Sequence, residues 1–172
     1  MARLGEVEEE FTRRSLTIAV LGPNLENLDD TGTLKRYQIR DALLDMGHRA
    51  FFPEHHIDST APDWIGQEQD LLRDDTVDLV IILHTENSWG AFGEISNFVS
   101  ILDIQMKTAV LFPIEHYKPT QGMTGNIVQG YFVRMPYTYE QMEICQLVSE
   151  CTQWAQQRQI GIWPELPPHF RF

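Results

Sequence analysis

The sequence is poor in cysteine, poor in positive charge and without long apolar runs, and each shortage removes a class of protein. Its two cysteines, Cys145 and Cys151, stand in one helical-looking stretch. Six residues at 1.5 Å rise separate them by about 9 Å, beyond the roughly 7 Å that a disulfide can span. They read as buried thiols of a reducing compartment. Thirteen basic residues face 25 acidic ones, for a formal net charge of −12. That balance opposes attraction to phosphate backbones and to anionic lipid surfaces, so neither extended nucleic acid nor a membrane is expected as a partner. A free nucleotide stays possible, because a few local amides and cations decide its binding. No apolar run approaches the ~20 residues of a membrane span. Residues 1–14 are highly charged and lack the apolar stretch of a signal peptide, so the expected location is cytoplasmic.

Several chemistries are missing as well. His55, His56, His84 and His116 show no repeating ligand spacing, so no metal site is expected. The segment Gly22–Gly32 has neither the spacing of a Walker loop nor that of a dinucleotide fingerprint, and no cofactor is expected. No serine sits in a nucleophile elbow, which argues against acyl transfer.

What remains is a regular alternation of strands and helices. Residues 1–15 form a charged arm, 16–160 one α/β domain, and 161–172 a tail rich in proline and aromatic residues. Leu16–Leu21 is apolar on both faces, as a central covered strand requires. A helix is expected over Thr33–Met46, with Ile39, Ala42, Leu43 and Met46 inward and Gly47 ending it. A short strand (Arg49–Phe52), a helix (Asp63–Asp74) and the most apolar strand (Val77–Leu83) follow. Then come a helix over Ala91–Leu102, a strand (Thr108–Phe112), a fifth strand (Tyr131–Met135) and a helix over Tyr139–Gln157. This last helix would turn Met142, Cys145, Val148, Thr152 and Ala155 inward. Short links between alternating elements imply a parallel sheet. The expected fold is flavodoxin-like: a doubly wound, mostly parallel five-stranded sheet with helices on both faces. Ligands of such sheets bind beyond the carboxyl ends of the strands. That selects the loop Gly22-Pro23-Asn24 and the segment His84–Glu94.

Glu94 closes the run Ser88-Trp89-Gly90-Ala91-Phe92-Gly93-Glu94. Placed at the start of a helix, it is explained in bland terms by the helix dipole. Its glycine and aromatic neighbours point instead to a cleft, where an ionised glutamate can stabilise or attack an oxocarbenium-like carbon. Lys35, Arg36 and Arg40 are a solvated face or, for Arg36 and Arg40, a phosphate clamp. Trp89 is core or a base-stacking ring.

These residues resemble the nucleoside 2-deoxyribosyltransferase family. The likeness runs over about residues 16–130: Gly22-Pro23 ending the first strand, Asp78 opening the central one, Gly90-Ala91-Phe92-Gly93-Glu94 as Gly-x-x-x-Glu, and Asn126. The resemblance implies that Glu94 is the nucleophile on the anomeric carbon and that Asp78 is structural. It implies that Gly22, Pro23, Gly90 and Asn126 belong to the substrate site and that the protein is a homo-oligomer; Asn24, Ser88 and Trp89, in the same two loops, complete the expected site. Ser88-Trp89-Gly90 departs from that family's Asp-Ser-Gly, and Ser96 replaces a glycine. The Trp-then-Glu order is also similar to TIR domains that cleave NAD, with a spacing one residue longer here. Both relatives break an N-glycosidic bond through one glutamate. The expected activity is therefore cleavage or transfer of the N-glycosidic bond of a nucleoside, nucleotide or NAD. The alternative is an inactive, TIR-like module of the same fold that senses a nucleotide or docks a partner.

Overall fold

The computed structural model describes residues 14–85, 89–113, 133–137 and 144–159. Strand β1 (Thr17–Leu21) leads into helix α1 (Thr31–Asp45), strand β2 (Arg49–Phe51), a 3-10 turn (Pro53–His55) and helix α2 (Trp64–Arg73). Strand β3 (Leu79–Leu83), helices α3 (Trp89–Phe98) and α4 (Leu102–Gln105), strand β4 (Thr108–Pro113), strand β5 (Val133–Tyr137) and helix α5 (Ile144–Gln159) complete the order. The strands hydrogen-bond in the order β2-β1-β3-β4-β5, and every pair is parallel. An α/β domain with a parallel sheet is what the alternation of elements led us to expect.

The apolar strands divide their side chains between two cores, as the two-residue period of a strand requires. Ile18, Val20, Leu79, Ile81, Leu83, Ala109 and Leu111 face one way. There they meet Ile39 and Leu43 of α1 and Val148, Cys151 and Ala155 of α5. Ala19, Leu21, Val80, Ile82, Val110 and Phe112 face the other way, onto Leu72 of α2, Ile95 and Phe98 of α3 and Ile104 of α4. Every residue of β3 is buried, which explains why its sequence carries no polar alternation.

Capping sets the helix limits. Asp30 precedes α1 and its carboxylate accepts from the Thr33 N–H at 2.8 Å, the usual use of an aspartate at that position. At the other end Gly47 adopts φ +85°, and the His48 N–H returns to the Leu43 carbonyl, closing the helix as glycine does best. The helix therefore stops at Asp45. Met46, expected on the inward face, instead caps the end and is 45% exposed. The helix expected over Ala91–Leu102 begins earlier and ends earlier, as α3 (Trp89–Phe98), and the short α4 follows from Leu102. The fifth strand runs two residues past its expected end at Met135, through Pro136 to Tyr137, while Tyr131 and Phe132 lie outside the described residues. Pro136 is tolerated on the edge strand of the sheet. Of the thiols, Cys151 is buried and unpaired, while the side chain of Cys145 and all of Met142 lie outside the described residues.

Asp78, expected to be structural, ties three elements together at the amino edge of the sheet. Its Oδ2 accepts from the Thr17 N–H of β1 at 2.8 Å, and its Oδ1 accepts from Gln159 Nε2 of α5 at 2.5 Å. Its carbonyl accepts from Arg158 Nη2 at 2.6 Å. Asp78→Ala should leave the Thr17 amide and the Gln159 amide without their acceptor and cost about 1–3 kcal/mol. Urea unfolding should show a lower midpoint with an unchanged slope. An unchanged midpoint would mean that these bonds do not hold α5 to the sheet.

Candidate functional site

All strands are parallel, so their carboxyl ends share one edge, and the chain leaving β1, β2 and β3 meets there. A cleft of about 800 Å³ opens at this edge. Gly22, Pro23 and Asn24 line it from the loop after β1, Glu54 and His55 from the turn after β2, Trp64 and Glu68 from α2, and Glu94 from α3. The position matches the rule that ligands of open parallel sheets sit where the strand order reverses, here between β1 and β3.

The loop after β1 can lie this close only because of its glycines. Gly22 has φ +151°, and a Cβ placed on it would stand 2.8 Å from the Leu83 carbonyl oxygen. A Cβ on Gly32 would stand 2.8 Å from the Thr85 methyl and 2.9 Å from the Pro23 ring. A side chain at Gly22 would have to displace backbone, and one at Gly32 would have to displace the Thr85, Asp30 and Pro23 side chains. Asn24 then turns the loop by accepting from the Glu26 N–H at 2.9 Å, and its carbonyl accepts from Thr33 Oγ1 at 2.8 Å.

Beneath the loop lies Arg36 of α1, fully buried. Its Nε and Nη2 donate to the Val20 carbonyl, and its Nη1 donates to the Pro23 carbonyl at 2.9 Å. Nη1 and Nη2 also form a two-point pair with Glu54 at 2.5 and 2.7 Å. A guanidinium has five N–H groups, and these partners take them all. The expectation that Arg36 clamps a phosphate is therefore corrected: it is a strut with no donor to spare. Arg40 is corrected too. It pairs with its neighbour Asp41 and lies over the rings of Tyr37 and Phe52, and it does not line the cleft.

Glu94 is the sixth residue of α3, so it stands in the second turn, not at the helix start as the sequence pattern suggested. The helix dipole, which acts over the first turn, no longer accounts for a carboxylate here. Its Oε2 is buried without a hydrogen-bond partner among the described residues. Glu68, which nothing in the sequence singled out, shares this condition: the residue is 2% exposed and its Oε2 is buried and unpartnered. Burial pushes the Glu68 carboxyl up to about 7, helped by the charge of Glu54 and opposed by Arg36. Burial likewise raises Glu94 well above the ordinary range, with Glu68 adding to the rise and Arg36 again opposing it. The two carboxyls thus hold protons that exposed glutamates would have lost.

Of the other residues expected here, Ser88 and Asn126 lie outside the described residues. Trp89 and Gly90 open the helical backbone of α3, and their side-chain surroundings are not described. Among the described residues no group of histidine, cysteine and carboxylate side chains is arranged to hold a metal.

The raised Glu68 carboxyl makes stability depend on pH with a definite sign. The fold favours the protonated form, so the contribution is complete below the unfolded value near 4.5 and is lost as pH rises through about 7. His48, lowered by burial and accepting from the Leu16 N–H, acts oppositely below about 6.5. The comparison of wild type with Glu68→Gln cancels it. Glu68→Gln should match wild type near pH 4.5 and be more stable at pH 8, by on the order of 3 kcal/mol. Melting curves of both proteins across that range test this, and parallel curves would refute it.

No protein-family model matches the sequence, and no curated protein matches it significantly. The chemistry of the cleft itself has to carry the functional reading.

Proposed function

We propose that this chain cleaves or transfers the N-glycosidic bond of a nucleoside, a nucleotide or NAD, on a flavodoxin-like, doubly wound fold. The observation that carries the reading is the pair Glu68 and Glu94. Each has a buried carboxyl oxygen without a partner, and both line one cleft at the carboxyl edge of a parallel sheet. The strand order 2-1-3-4-5 supports the flavodoxin-like part of the reading.

Two interacting carboxyls, each with a buried oxygen, share their protons, and their titration belongs to the pair. In its singly protonated form the pair offers one acid and one carboxylate at once, which is what breaking a glycosidic bond requires. An N-glycoside leaves more readily when its base is protonated, and positive charge develops on the sugar as the bond stretches. Glu94 as carboxylate meets that charge, by attack on the anomeric carbon or by electrostatic stabilisation. Glu68 as acid delivers its proton to the departing base. Burial favours the protonated form of Glu94. Positive charge growing beside it favours the ionised form, so the substrate itself sets where the pair's proton resides. Gly22 and Pro23 bring the opposite wall within reach, and the pair between buried Arg36 and half-buried Glu54 keeps that wall in place.

The test is incubation of the protein with pooled nucleosides, nucleoside monophosphates and NAD, followed by chromatography for free base. Wild type should release base, and Glu94→Gln should lower the rate by at least the ~100- to 1,000-fold lost with one preorganised electrostatic group. Glu94→Gln should keep or gain stability, since it removes a buried group that resists ionisation. Glu68→Gln should also slow release and remove the arm of the pH–rate profile that falls near pH 7. Wild-type protein that is folded yet releases no base from any substrate would leave the binding module as the function of this cleft.

A further inference from the structure

One aromatic side chain of the cleft stands partly in solvent, outside both cores. Trp64 is the first residue of α2, lines the cleft and is 37% exposed. Phe52, Phe98, Phe112, Tyr137 and Trp154 are all buried in the two cores. Trp64 belongs to neither core. An indole left partly in water is costly unless something covers it, and tryptophan is concentrated at binding surfaces for that reason. Its place on the helix is equally informative. Residues four apart share one helix face, so Trp64 stands one turn from Glu68 on the wall that α2 presents to the cleft. That wall has an apolar plane at its outer end and, one turn on, a buried carboxyl oxygen lacking a hydrogen-bond partner.

We infer that Trp64 is the platform on which the leaving base stacks, so that the Trp64–Glu68 face of α2 recognises a planar nitrogen heterocycle; this rests on the glycoside-cleaving reading of the same cleft. A purine or pyrimidine satisfies both halves of the wall. Its π face covers the indole, and a ring nitrogen or exocyclic amine at its edge pairs with the Glu68 carboxyl. An aliphatic chain covers the indole but leaves the carboxyl unpartnered. A sugar alone pairs with the carboxyl but leaves the indole wet. Stacking also fixes the base plane, so the ring atom that must be protonated faces the acid while the sugar extends toward Glu94.

The test uses the full-length protein carrying Glu94→Gln, so that turnover does not consume the probe. Calorimetric titration with the four 2′-deoxynucleosides, their free bases and 2-deoxyribose is compared with and without Trp64→Ala and Trp64→Phe. At least one nucleoside and its base should bind. Trp64→Ala should weaken both by about 5- to 150-fold, the range for losing one base–aromatic stack. Trp64→Phe should restore most of the affinity, and binding of the sugar should not change. Circular dichroism melting checks that both variants fold, which the exposed position of Trp64 favours. Absence of binding by every base and nucleoside overturns the platform, as does equal binding by the Ala variant. The parent reading fails separately. Base binding that depends on Trp64, with no base released by wild type, keeps the platform and removes the glycosidase. Release of base with binding indifferent to Trp64 does the reverse.

Discussion

The guanidinium of Arg36 is the interaction on which the rest of the site depends. Strand β1 ends at the sheet edge, where its last carbonyls have no ladder partner, and an unpaired buried carbonyl is costly. Arg36 supplies donors to Val20 and Pro23 and then spans to Glu54 beyond β2. One side chain from α1 therefore joins two strands' exit loops into a single wall. Arg36 is fully buried while Glu54 stays 32% exposed, so removing Glu54 would leave a buried cation without its counter-charge, which is the costly half of such a deletion. The same cation also opposes the rise of both Glu68 and Glu94. Architecture and electrostatics here are set by the same group, so they cannot be varied independently.

Close approach at the seam between β1 and β3 is the second constraint. Gly22 lies where any Cβ would meet the Leu83 carbonyl, and Gly32 lies where one would meet Thr85 and Pro23. These positions draw the start of α1 and the loop after β1 down onto the end of β3. What is left between that loop, α2 and α3 is the cleft. Its volume is thus a consequence of two absent side chains and one buried cation.

How much of this was legible in the sequence depended on how local the signal was. The strands were legible because continuous apolar runs such as Leu79–Leu83 have few other uses, and the parallel sheet followed from alternation. Gly22, Pro23, Asn24 and Glu94 were legible as neighbours because the edge rule for parallel sheets needs only strand ends. The roles of Arg36 and Arg40 were not. Nothing local distinguishes a cation buried under a loop from one on a solvated face, and the partner of Arg36 lies 18 residues away at Glu54. Glu68 was hidden in the polar run Gly66-Gln67-Glu68-Gln69-Asp70. Its one local signal is its spacing, four residues before the buried Leu72 on the same helix face, which a polar side chain there does not advertise. Helix ends slipped where one residue decides the matter, as Met46 did when Gly47 closed α1.

Glu68 and Glu94 break the rule that buried charge is paired, and the rule's exceptions gather at functional sites. Arg36 cannot neutralise them, because its five donors already serve carbonyls and Glu54. The remaining way to bury two carboxyls is to keep protons on them, which the fold does at the expense of stability above about pH 7. A domain selected for stability alone would place glutamine or an apolar residue at either position. The cost is recovered only when a ligand brings donors, or positive charge, to oxygens that have neither. On the proposed reading, a cation developing on a sugar beside Glu94 and a basic ring nitrogen beside Glu68 would supply both, and would do so more fully in the transition state than in the bound substrate. That ordering is the condition for catalysis as distinct from binding, and it is why the unpartnered oxygens argue for chemistry in this cleft.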